Sequence, residues 1–213
     1  MIDFLNSIVV LLNFIIIPGL SYGSQLALGA LGVTFVYAIL RFANFAYGDL
    51  MAFGTMVVIL FTWYLQSKGI SFGLLPTAIL ALPIGIVFTI AISLFFDKTV
   101  FEYYREKKSN PVTFIVVSLG IMFVLNAVVR IIIGPNDINF MDGHKFIMKA
   151  REFKQLTGLN EGLAIKSTQV ITLITTIITC SLLFYFLNKT KTGKSMRAYS
   201  DNEDLALLSG IDP

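Results

Sequence analysis

Runs of about twenty apolar residues, one after another, leave this chain little choice of fold. A helix needs ~20 such residues to cross a ~30 Å hydrocarbon core. Its backbone groups must also be satisfied within the segment, because no water is present to bond them. Six apolar segments can be traced in the 213 residues, at about 4–18, 20–40, 45–66, 73–96, 111–133 and 168–187. Only 14% of residues are charged, against roughly 25% in soluble domains. The fold class these features predict is all-α, a polytopic transmembrane helical bundle. We divide the chain into a bundle at 1–188, with an outer loop at 134–167, and a cytoplasmic segment at 189–213.

The first segment holds Asn6 and Asn13 and is parted from the second only by Pro18-Gly19. A short span, a tilted half-helix and an interfacial segment all fit it. Its start, Met1-Ile2-Asp3, lacks the basic residues of a signal peptide, and no small-x-small site follows it, so it is read as retained.

Basic residues in short loops set the orientation. The 97–110 loop carries Lys98, Arg105, Lys107 and Lys108, and the tail carries Lys189, Lys191, Lys194 and Arg197. Two spans separate them, so both lie on one side, which the rule makes cytoplasmic. The 134–167 loop then faces outward, with five positive residues against four acidic ones. Within it we expect a short amphipathic helix at 145–156. Gly19, Gly23 and Ala27 form a stripe of small residues at four-residue spacing, and Ala81 with Gly85 a shorter one. Both are expected to bring helices close together in the bundle.

Several chemistries are excluded at this level. A net charge of +3 gives no support to nucleic-acid binding. Cys180 stands alone in an apolar run and His144 alone in a loop, so neither a disulfide nor a metal site is indicated. Gly193-Lys194-Ser195 imitates the end of a phosphate-binding loop. However, Asn188 stands where that motif needs its first glycine, and a membrane helix precedes it in place of a strand. No cofactor is implied.

Ionisable groups inside a membrane are costly and need a reason. Arg41, Asn44, Gly48 and Asp49 cluster between two apolar runs, in RFANFAYGDL. One reading is a cytoplasmic-side loop with a snorkelling arginine. A second is an unwound joint beside a permeation path, with Arg41 and Asp49 paired across it, and a third has Asp49 bind substrate directly. Arg130, with Asn126 one turn earlier, is read as snorkelling to the outer interface, with lining of the pathway as the alternative. In the tail, Ser200-Asp201-Asn202-Glu203 has the pattern of a capping box with an acidic first turn. Leu205, Leu208 and Ile211 follow at helical spacing, with Leu207 beside them and Gly210 as the stop. So short a helix is marginal alone. It can dock on its own bundle or on a partner, and we favour the partner.

NFAYGDLMAFG at 44–54 resembles a signature of permease subunits of branched-chain amino acid ABC transporters and their amide and urea relatives. TKTGKSMRAYSDNEDLALLSGID at 190–212 resembles that family's cytoplasmic coupling loop, and YYREKKSNPVTFIVVSLGIMFVLN at 103–126 a family segment entering the membrane. Tyr47 stands where the family usually has His, and the family's Arg-Pro near 104–108 is absent. The resemblance implies a non-catalytic permease in a bacterial inner membrane, with 97–110 and 189–213 cytoplasmic. It implies ATP-binding subunits that dock on Asp201, Glu203, Asp204, Leu205, Ala206, Leu207, Leu208, Gly210 and Ile211. A second permease subunit and a periplasmic substrate-binding protein would complete the assembly in the lipid bilayer. Because such permeases usually continue through further helices, the resemblance also implies a chain that is incomplete after Pro213. The competing class is a self-contained secondary transporter or channel, driven by an ion gradient without any ATPase.

Overall fold

The computed structural model describes residues 2–70, 76–136, 142 and 145–210. Helix α1 (Ile2–Leu11), a π-helical turn (Leu12–Ile16) and α2 (Ile17–Leu40) follow one another without a break. The boundary expected at Pro18-Gly19 is therefore not a boundary, and segments 4–18 and 20–40 form one helix. Pro18 lacks an N–H, and its ring would crowd the carbonyl four residues back in a regular α-helix. The π turn widens the backbone just before it, with the Ile17 N–H reaching the Leu12 carbonyl, so the helix passes the proline intact. The remaining elements are α3 (Tyr47–Ser67), α4 (Ala78–Phe96), α5 (Glu102–Glu106), α6 (Pro111–Ile133), β1 (Phe146–Met148), α7 (Ala150–Thr157), β2 (Ile165–Lys166), α8 (Ser167–Lys189), α9 (Lys191–Asp201) and α10 (Glu203–Leu208).

Five helices among the described residues are long and apolar enough to cross a membrane: 3–40, 47–67, 78–106, 111–133 and 167–189. The protein is thus an all-α polytopic membrane protein. A second π turn, Asp97–Phe101, carries α4 straight into α5. The loop expected at 97–110 is accordingly helical as far as Glu106, and only the turn up to Pro111 is irregular. Asp97 and Arg105 pair along this extension through two hydrogen bonds of 2.8 and 2.9 Å.

The chain divides into two compact units, Leu40–His144 and Met1–Ile39 with Lys145–Pro213. In the first, α3 and α4 run antiparallel in close contact. A Cβ at Gly85 would strike Val58 Cγ2 and come within 3.2 Å of the Gly54 carbonyl oxygen, and one at Gly54 would come within 2.5 Å of Thr89 Oγ1. Ala81 is fully buried on the same face. The Ala81–Gly85 stripe therefore brings two helices together as expected. Asp142 closes the far end of this pair, accepting hydrogen bonds from the Ala78 N–H at 2.7 Å and from Gln66 Nε2 at 3.0 Å. The first of these places a carboxylate at the start of α4, where the helix dipole favours negative charge. The core of this unit is Phe42, Ala46, Phe101, Ile121 and Leu125.

In the second unit, the two asparagines of the first segment are acceptors for the loop that follows α7. Asn6 Oδ1 accepts from the Glu161 N–H at 3.3 Å and Asn13 Oδ1 from the Ala164 N–H at 3.1 Å. Helix 3–40 is roughly 57 Å long at 1.5 Å per residue, well beyond a ~30 Å core, which leaves length for this contact. The loop helix expected at 145–156 begins later, at Ala150, because 146–148 pairs antiparallel with 165–166 as a two-stranded ribbon. Gly19, Gly23 and Ala27 do not pack as expected. All three are exposed, and among the described residues nothing lies within 4 Å of a Cβ built at either glycine. His144 lies outside the described residues.

Candidate functional site

The joint between α2 and α3 is non-helical from Arg41 to Ala46. Arg41 ends α2 in the left-handed region, with φ 58°. That conformation is uncommon for a residue with a Cβ and turns the chain sharply out of the helix. Asn44 then organises the restart. Its Oδ1 accepts from the Ala46 N–H at 3.0 Å and its carbonyl from the Tyr47 N–H at 3.3 Å, a local turn typical of this side chain. Gly48 follows in the first turn of α3, exposed, with nothing within 4 Å of a Cβ built there.

The joint is held against α6. The Phe42 ring stacks on Phe114 at 5.2 Å and lies 5.9 Å from Phe101. The Phe45 N–H donates to Ser118 Oγ at 3.1 Å, and that hydroxyl donates to the Ile115 carbonyl at 2.8 Å. A backbone N–H without a helical partner is thus supplied with one inside the span, as a low-dielectric setting requires. Because 45 meets 118 and 49 meets 126, α3 runs parallel to α6 and begins well along it. The unwound segment therefore lies beside the first two turns of α6, reaching inward from its end.

Asp49, in the first turn of α3, thereby stands opposite the second half of α6. Its Oδ1 accepts from Asn126 Nδ2 at 2.9 Å, and Asn126 Oδ1 accepts from Arg130 Nε at 2.8 Å. Asn126 is roughly 22 Å along α6 from Pro111, one turn beyond the middle of the helix. The sequence offers Arg41 as a partner for Asp49 and sets Asn126 one turn before Arg130, with no link from that pair to Asp49. The structure gives Asp49 the amide of Asn126 and links that amide to Arg130. The four-residue interval between Asn126 and Arg130, which puts both on one face of the helix, was the available signal. Nothing in the sequence pointed to Asp49 as the third member, because parallel pairing of α3 with α6 is a tertiary fact.

The tail has two helices where one was expected. Thr190 caps α9, its Oγ1 accepting from the Gly193 N–H at 3.0 Å, and Arg197 Nη1 donates to Asn188 Oδ1 at 2.9 Å. Gly193 is required for closeness: a Cβ there would press on the Phe186 carbonyl oxygen and stand 2.7 Å from Leu187 Cα. Its place in a loop-like Gly-Lys-Ser is thereby explained by packing. Ser200 and Asp201 belong to α9, so the expected cap at Ser200 is replaced by Asn202, whose Oδ1 accepts from the Leu205 N–H at 3.1 Å. An N-cap needs an extended backbone, and Asn202 has it, with φ −153° and ψ 108°.

Glu203 and Asp204 fall in the first turn of α10. Ala206 is its buried residue, while Leu205, Leu207 and Leu208 are 61%, 46% and 84% exposed. Gly210 has φ 77°, the left-handed stop expected of it. Ile211 lies outside the described residues. Among the described residues no group of His, Cys, Asp and Glu is arranged to hold a metal.

Comparison with known proteins gives the family. A family model described as the branched-chain amino acid transport system permease component matches residues 15–213. The high-affinity branched-chain amino acid transport system permease protein LivH of Escherichia coli strain K12 is 25% identical over 199 residues, which is 91% of this chain and 60% of LivH. LivH of Salmonella typhimurium is 24% identical over the same shares. The chain thus spans about 60% of the length of the curated relatives it matches. No solved structure matches it significantly. With nearly its whole length covered by the family model and its helices of membrane-spanning length, this chain belongs to the permease component family of branched-chain amino acid transport systems.

Proposed function

We propose that the chain is a membrane-embedded permease subunit of an ATP-binding cassette importer that brings branched-chain amino acids or related small amides into the cell. The observation that carries this reading is family membership across residues 15–213. The exposed leucines of α10 support its finer part. Leu205 and Leu208 share one face of α10, which packs on α9, and an apolar face on a six-residue helix is stable only when something covers it.

In this account Asp201, Glu203, Asp204, Leu205, Ala206, Leu207, Leu208, Gly210 and Ile211 dock in a groove of a cytoplasmic ATP-binding subunit. The permease itself performs no covalent chemistry. Movement of α10 is passed to α8 through α9, which Gly193 and Thr190 lock against the end of α8. The joint of Arg41, Asn44, Gly48 and Asp49 lines the path beside α6. A periplasmic binding protein delivers substrate to the outer face, and a second permease subunit completes the path.

The test is co-reconstitution in proteoliposomes with the ATP-binding subunits, the second permease and the binding protein. Uptake of radiolabelled leucine should require ATP inside the compartment that holds the ATPase. Uptake driven by an ion gradient with no ATPase present would overturn the reading in favour of a secondary transporter.

A further inference from the structure

The geometry points to Asp49, Asn126 and Arg130 as an intramembrane subsite for the zwitterionic head group of an amino acid in transit. The inference rests on the import reading above and names the residues that meet the cargo. Three features of the cluster carry it.

The first is position along two helices. Asn126 is one turn past the middle of α6 and Asp49 is in the first turn of α3, both helices of membrane-spanning length. An ionisable side chain within either span is costly unless it faces protein or water. The second is exposure. Asp49 is only half-buried, and Asn126 and Arg130 are exposed. The polar atoms of the cluster are therefore reachable from the surface of this chain and not enclosed between α3 and α6.

The third feature is the order of charges. A carboxylate, a neutral amide and a guanidinium stand in line, with the amide donating to the first and accepting from the last. An α-amino acid presents the complementary pair. Its ammonium group can take the place of the Asn126 Nδ2 donor on Asp49. Its carboxylate can take the place of the Asn126 acceptor on Arg130, whose planar fork of five donors suits that group. The amide, freed from both, can bond the substrate in turn. Both resting bonds are charge-assisted and fill the cluster while no substrate is present. The exchange therefore replaces strong bonds by strong bonds, and passage needs no bare charge in the membrane.

The experiment uses the reconstituted complex with Cys180→Ala as background and Asn126→Cys as a reporter. A small cationic methanethiosulfonate should modify the introduced thiol, and L-leucine should slow that modification several-fold, whereas isopentylamine, which lacks the carboxylate, should not. In a second arm, Asp49→Asn keeps hydrogen-bonding capacity toward Asn126 but removes the charge. Losing a charged hydrogen-bond partner should lower uptake about tenfold or more. A purely structural bond would be preserved in Asp49→Asn, and uptake would stay at the wild-type rate. Wild-type uptake by that variant, or a thiol that leucine does not protect in a complex that imports leucine, overturns the subsite alone. Failure of the unsubstituted complex to import any amino acid overturns the function reading beneath it.

Discussion

Replacing Leu208 offers the sharpest test of the docking face, because its side chain is 84% exposed and so contributes almost nothing to the fold of the chain itself. Full burial of a leucine side chain is worth about 1.5–3 kcal/mol. Covering the exposed fraction of Leu208 in a partner groove is therefore worth about 2 kcal/mol, and Leu205, at 61% exposed, somewhat less. At about 1.4 kcal/mol per tenfold, Leu208→Ala should weaken ATP-binding subunit association roughly tenfold, since the Cβ is retained. Leu208→Asp should weaken it further, because a carboxylate would have to be desolvated in the groove. The assay is titration of the ATP-binding subunit onto the permease held in nanodiscs, read as bound fraction. Thermal unfolding of the permease alone provides the control and should stay within about 0.5 kcal/mol, the usual range for a surface substitution. Wild-type affinity in both variants would refute the docking face. A large loss of thermal stability would refute the claim that Leu208 is free of the fold.

Three further outcomes follow from the packing. Gly85→Leu should destabilise the α3–α4 pair by about 1–3 kcal/mol through overpacking against Val58 and the Gly54 carbonyl. Val58→Ala should recover part of this in the double variant, read by thermal unfolding in detergent. Asn13→Ala removes the acceptor of the Ala164 N–H and should cost about 1 kcal/mol, seen as faster proteolysis of the outer loop with membrane insertion unchanged. Asn202→Ala removes the cap of α10 and should cost that helix about 1 kcal/mol, detected as faster amide exchange at Leu205.

What was legible in the sequence followed from period and composition. The middles of helices 47–67, 78–106, 111–133 and 167–189 were placed correctly, since an apolar run of membrane length has few alternatives, whereas 3–40 was divided near its middle. Breaks were less legible. Pro18-Gly19 reads as a stop, and only the π turn at Leu12–Ile16 reveals how a helix can pass it. Basic residues at 97–110 read as a loop, although a charged helix extending beyond the membrane carries the same composition. In the tail, Ser200 and Asn202 are both good caps by type. The choice went to Asn202 because α9, capped at Thr190 and seated on α8 by Gly193, runs on through Ser200. Of the joint residues, Asn44 could be read locally, since its turn is made with Ala46 and Tyr47. Asp49 could not, because its partner is 77 residues away.

The polar side chains inside the apolar runs separate by where their hydrogen bonds lead. Asn6 and Asn13 each accept from a backbone N–H in the loop between α7 and α8. Ser118 supplies an acceptor to an N–H that the joint leaves without a helical partner. Their partners are backbone groups, which carry no charge to exchange and cannot be withdrawn without unfolding a segment, and such bonds hold a shape. Asp49, Asn126 and Arg130 bond through side chains alone, two of them charged, on two different helices. Side-chain partners can be exchanged for a ligand's groups while both helices remain intact, which is what a transit site in a membrane requires. The same polar residue types thus serve two ends, and the distinction lies in whether the partner is backbone or side chain.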